Sequence, residues 1–162
     1  MRTLTALLCG ALLAAQTAPE KSGKLAVDGD VAKPITLTLA DLAKMPHETA
    51  TLSEPDGTKV AYDGVPLLEI LKKAGVPFGK EMRGKALAGY LLAGASDGYQ
   101  VVFSLGELDP ATGPTHVIVA DHHDGQPLTG KQGPIRLVVS TDKRPARSVR
   151  MLETLHVVML RK

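Results

Sequence analysis

Between Lys24 and Leu160 the apolar residues fall in short runs separated by Gly, Pro and Asp turns. Such spacing predicts strands with only short helices between them. Lys24 to Val31 and Pro34 to Leu37 are expected as strands around an Asp28-Gly29-Asp30 turn. Thr38 or Leu39 then opens a short helix with Leu39, Leu42 and Ala43 on one face, ending before Pro46. Thr49 to Leu52 and Thr58 to Tyr62 alternate like paired strands around the Glu54-Pro55-Asp56-Gly57 turn. Pro66 just inside the start and Gly75 just past the end bracket a helix over Leu67 to Ala74. Ala88 to Ala95 and Tyr99 to Phe103 follow as strands joined through Ser96-Asp97-Gly98. Ser104 and Glu107 have the spacing of a capping box, which predicts a further short helix. His116 to Asp121, Ile135 to Ser140 and Thr154 to Leu160 complete the strands. Regular βαβ alternation is missing, so the expected class is α+β, a mixed β-sheet domain with short helices.

At 162 residues the chain is long enough for one domain with a substantial core. Three Tyr, two Phe and no Trp leave that core to Leu, Val, Ala and Ile, and they leave little with which to stack nucleic-acid bases. The formal charge of +2 is likewise too small for a general nucleic-acid binder, so no nucleic-acid partner is expected. The charge is uneven, however: Lys131 to Lys162 carry eight Lys and Arg against Asp142 and Glu153.

The first residues have the form of an export signal. Arg2 is the only charge before Glu20, and Leu4 to Ala15 is an apolar run too short to span a bilayer dependably. The expected organisation is a signal peptide over 1–18, a flexible lead over 19–23 and one domain over 24–162. A periplasmic or secreted protein without stable membrane insertion after cleavage follows. Cys9 comes too early, and after Leu8, to be a lipid-modified cysteine. Cleavage would remove it and leave a mature chain without a thiol, and hence without disulfides, thiolate catalysis or cysteine-ligated metal.

The densest chemistry lies near the C-terminus. The run Gly133-Pro134-Ile135-Arg136-Leu137-Val138-Val139 leads into a Pro-broken loop with Lys143, Arg144, Arg147 and Arg150. Cations fixed between buried strands favour a small anion, and guanidinium forks bind phosphate bidentately. The same residues could instead form a solvated basic loop that protects strand edges, with Arg147 and Arg150 paired to Asp142 or Glu153. His122-His123, flanked by Asp121 and Asp124, is the one metal-like cluster; adjacent strand residues point to opposite faces, and no metal site is assigned to it. His47, His116 and His156 are expected to be structural. A Ser nucleophile has neither a Gly-x-Ser-x-Gly elbow nor a Ser/His/Asp set to support it.

Four segments in order resemble the sulfite-oxidase-type oxidoreductase molybdopterin-binding domain: Tyr62-Asp63-Gly64-Val65-Pro66-Leu67-Leu68, Ala95-Ser96-Asp97-Gly98-Tyr99, Asp124-Gly125-Gln126-Pro127-Leu128, and Gly133-Pro134-Ile135-Arg136. The resemblance covers roughly residues 24 to 160. It implies a mixed α+β fold, with a pterin phosphate held by basic residues near the C-terminal strands. It assigns cofactor-binding roles to Tyr99, Arg136, Lys143, Arg144, Arg147 and Arg150. Arg147 and Arg150 match the two cations of the family's late binding stretch, while Ser148 and Met151 replace its usual His and aromatic. The family's molybdenum-ligating Cys would fall near Ala50 to Pro55, where Ser53 or a neighbour stands. The expectation is therefore a domain that binds molybdopterin or another phosphate-bearing ligand without molybdenum. An active molybdopterin-dependent oxidoreductase and a non-catalytic module docking an envelope protein partner are the alternatives.

Overall fold

The structure is a computed structural model, and it describes residues 23–54 and 56–160. The signal peptide and most of the expected lead lie outside those residues. Strand β1 (Lys24–Gly29) pairs antiparallel with β2 (Ile35–Thr38), in a register that sets Leu25 opposite Leu37. Helix α1 (Leu39–Leu42) begins at once, because Thr38 and Asp41 cap each other. The Thr38 hydroxyl accepts from the Asp41 amide, while the Asp41 carboxylate accepts from the Thr38 amide at 2.9 Å. Hydrogen bonds from the Thr38 hydroxyl and amide hold the Asp41 carboxyl below the usual carboxylate range.

Strand β3 (Glu48–Ser53) pairs antiparallel with β4 (Lys59–Pro66), which passes directly into helix α2 (Leu67–Lys73). Gly75 adopts a φ of +81° just beyond the helix, the left-handed conformation its position requires. Strands β5 (Tyr90–Ala95) and β6 (Gln100–Ser104) form a hairpin. Then come β7 (Val117–His123), the short β8 (Gln126–Pro127), β9 (Arg136–Val139) and β10 (Leu152–Val158). A single 3-10 turn, Pro145–Arg147, interrupts the connection from β9 to β10.

The expected helix after Ser104 does not form; residues 105–108 are turn. Half of the capping box is made, since the Glu107 carboxylate accepts from the Ser104 amide at 2.9 Å. The Ser104 hydroxyl instead accepts from the Gly106 amide, and Glu107 is also engaged by Arg147. Pro110 follows, where a continuing helix would need an amide donor.

Two sheets result. The first has the order β2-β1-β10-β5-β6, and its β1–β10 contact is parallel, so both ends of the domain lie side by side. In the second, β7 pairs with β4 on one side and with β8 and β9 on the other, and β3 adds beyond β4. The alternation along β7 shows how the layers divide. Val117 and Val119 join the main core with Leu25, Leu91, Phe103 and Leu155 of the first sheet and Ile70 and Leu71 of α2. Ile118 and Ala120 face the other way, into a smaller cluster with Leu52, Tyr62, Leu128 and Val138. Burial on both faces is why the first four residues of β7, Val117 to Ala120, are all apolar. Gly64 allows β4 to approach β7 closely: a Cβ there would stand 2.2 Å from the Val119 carbonyl oxygen. Among the described residues no helix is long and apolar enough to cross a membrane.

Candidate functional site

Period-two alternation also decides where Arg136 goes. Leu137 and Val139 of β9 enter the main core, so Arg136 shares the opposite face with Val138, towards Tyr62. Its side chain is only 1% exposed. A guanidinium so buried requires a counter-charge and acceptors. Glu54, just past the end of β3, accepts from Arg136 Nη1 at 3.1 Å, and the Gln132 side-chain oxygen accepts from the same nitrogen at 2.7 Å. Arg136 Nη1 also donates to the Tyr62 hydroxyl, and the guanidinium carbon lies 4.7 Å from the centre of the Tyr62 ring. The Tyr62 hydroxyl in turn donates to Glu54 at 2.9 Å. Burial pushes the Tyr62 phenol up to about 12, a rise that the positive charge of Arg136 opposes. Arg136 Nε is buried and has no hydrogen-bond partner.

Arg136 forms part of the lining of an open cavity of about 230 Å³, with Asp97, Tyr99, Pro145, Ala146, Ser148 and Arg150. Arg150 is 46% exposed, and its nearest carboxylate is Glu54 at 3.9 Å. Tyr99 forms a fixed wall: its amide donates to Asp97 at 3.0 Å and its hydroxyl donates to the Ala146 carbonyl at 2.6 Å. The amide bond closes the turn of the β5–β6 hairpin, and the hydroxyl bond ties that hairpin to the turn before β10. Ser148 is buried, and its oxygen accepts from the Val139 amide at 3.0 Å, which leaves the hydroxyl hydrogen to donate elsewhere.

Of the six residues assigned from sequence, Tyr99, Arg136 and Arg150 meet at this cavity, while Lys143, Arg144 and Arg147 are not among its lining residues. The guanidinium of Arg147 is committed elsewhere. It donates to both oxygens of Asp142, at 2.8 and 2.7 Å, and to Glu107 at 3.1 Å, and it lies over the Phe103 ring at 4.9 Å. The hydrogen bonds to Asp142 hold it above the ordinary guanidinium range. Sequence reasoning missed Glu54, Gln132 and Ser148, and it took Asp97 for a turn residue. Glu54 meets Arg136 across 82 positions, which no local pattern marks. Gln132, Ser148 and Asp97 stand two to four residues from Arg136, Arg150 and Tyr99, and that nearness to the assigned residues was the signal that could have found them.

His122 at 2.8 Å and His47 at 3.6 Å share one oxygen of Asp121, while His116 bridges Ser140 and Glu48 at 3.0 Å each and His156 pairs with Asp28 at 2.6 Å. Among the described residues no group of three or more His, Cys, Asp or Glu side chains is arranged to hold a metal ion.

The fold and cavity define a class: a two-sheet α+β domain with guanidinium groups gathered at the C-terminal end of its chain. The chain belongs to the oxidoreductase molybdopterin binding domain family, whose pattern it matches over residues 14–161. Among solved structures, the sulfane dehydrogenase SoxCD from Paracoccus pantotrophus shares the fold, with a TM-score of 0.66 and 23% identity. The match covers 87% of this chain and 39% of that one, so this chain spans well under half the length of that protein. No curated protein matches the sequence.

The donor set does not fit a molybdenum centre with a protein thiolate. The one cysteine of the sequence is Cys9, and the described residues contain none. Ser53 is exposed at the end of β3 and does not line the cavity. A hydroxyl is also far less acidic than a thiol, hence a poorer anionic ligand.

Proposed function

We propose that this chain is a non-redox binding domain of the molybdopterin-binding family, exported to the cell envelope, that takes a small anion at the cavity between Tyr99 and Arg150. One observation carries the reading. Arg150 stands half exposed at a cavity whose lining includes the buried Arg136, and its only ion-pair partner among the described residues is a distant one, Glu54 at 3.9 Å. A guanidinium kept at a concave site without a close counter-ion is free to pair with an incoming oxyanion. The phosphate end of a pterin is one such anion and free phosphate another. Lys143, Arg144 and Arg147 do not line the cavity, and the charge of Arg147 is offset by Asp142 and Glu107.

Phosphate and sulfate should therefore raise the melting temperature more than chloride does at equal ionic strength, and saturably. A specific site adds RT ln(1 + [L]/Kd), about 2.7 kcal/mol at a hundredfold excess over Kd. Arg150→Gln should abolish the preference. An unchanged anion response in that variant would show that the effect is screening alone. Elemental analysis of purified protein finding close to one molybdenum per chain would overturn the non-redox part of the proposal.

A further inference from the structure

The charges around the cavity point to a narrower ligand class than an anion alone, an inference that rests on the binding reading above. Arg136 and Glu54 neutralise each other at 3.1 Å. Two charged groups of the lining then remain, Arg150 and Asp97. No ion pair joins them, and among the described residues Asp97 makes no ion pair at all. One Asp97 oxygen accepts from the Tyr99 amide at 3.0 Å, and the other is free to accept from a ligand. The lining thus presents an open cation and an open carboxylate beside the clamped Tyr99 ring. A phosphate dianion would meet the Asp97 charge as repulsion. A molecule with an acid group and an ammonium group would satisfy both side chains.

We infer that the cavity binds a small zwitterion, its acid group on Arg150 and the Ser148 hydroxyl and its ammonium group on Asp97. Size agrees, since a cavity of about 230 Å³ has room for a small molecule carrying both groups. Because the four charged groups sum to zero, a net-neutral ligand enters without leaving an uncompensated charge.

The test is a matched pair measured by titration calorimetry: 2-aminoethanesulfonate and ethanesulfonate, which share a permanently ionised acid group and differ in the amine. The wild-type protein should bind the amino compound about tenfold or more tightly, the effect of one added charge-assisted hydrogen bond. Asp97→Asn retains a side-chain oxygen for the Tyr99 amide, so the hairpin turn persists, and it should bring the two affinities within about twofold. The phosphate response of that variant should persist or increase. Arg150→Gln should weaken both sulfonates. Equal affinities in the wild type, or an undiminished ratio in Asp97→Asn, would overturn the zwitterion inference while a phosphate response left the anion site standing. If neither sulfonate nor phosphate binds the wild type, both readings fall.

Discussion

Replacing Arg136 with Met puts the buried network to its most direct test. The guanidinium and the Glu54 carboxylate approach to 3.1 Å. At an effective dielectric near 20 that contact is worth about 5 kcal/mol of gross attraction. Withdrawing both charges from water costs several kcal/mol, so the net contribution of the pair is much smaller. Removing only Arg136 is different, because Glu54, just 15% exposed, then keeps its desolvation cost without its closest cation. Stranding one member of a buried pair typically costs about 3–5 kcal/mol. Here the Tyr62 hydroxyl and Arg150 at 3.9 Å still face the carboxylate, which argues for the lower end, about 3 kcal/mol. In a domain of this size that lowers the melting temperature by roughly 6–12 °C. Glu54→Gln retains an acceptor for Arg136 and Tyr62 but removes the charge. The double variant strands no charge, so it should be more stable than the sum of the two single losses predicts. Urea unfolding of all four proteins gives the coupling, expected at about 2 kcal/mol. Additivity within about 0.5 kcal/mol, or a loss below about 1 kcal/mol for Arg136→Met, would refute the claim that this pair is buried and coupled.

Two further expectations concern neighbouring groups. The Tyr62 phenol is raised from 10.0 to about 12, so above pH 10 the unfolded chain loses a proton that the folded chain retains, and stability falls as pH rises through this window. Absorbance titration at alkaline pH should show a phenol ionising near 12 that Tyr62→Phe removes; a titration curve unchanged by the substitution would contradict the burial argument. Arg147→Gln should cost roughly 1–2 kcal/mol, a value reduced because its side chain is 33% exposed, and should leave the phosphate preference intact. Loss of that preference in Arg147→Gln would place Arg147 at the binding site after all.

The sequence by itself determined most of the local structure, because local structure depends on neighbours in the chain. Alternation and turn residues placed the strands to within a few residues, and Pro66 with Gly75 bracketed α2. The capping box at Ser104 misled for a nonlocal reason: Glu107 is also claimed by Arg147, forty positions away. Arg136, Tyr99 and Arg150 were visible as candidates, through the Gly-Pro-x-Arg run and the family's motif order. Their environment was not. Arg147 and Arg150 are three residues apart, yet Arg147 turns to Asp142 and Glu107 while Arg150 reaches the cavity. Only the tertiary structure decided this, since the backbone leaving the Pro145–Arg147 turn sends successive side chains to different surfaces. The parallel pairing of β1 with β10 and the Glu54–Arg136 contact across 82 positions are of the same kind. Hydrophobic pattern fixes which face of each strand is buried. Which strands become neighbours, and which charges must then compensate one another away from water, follows only when those faces pack together.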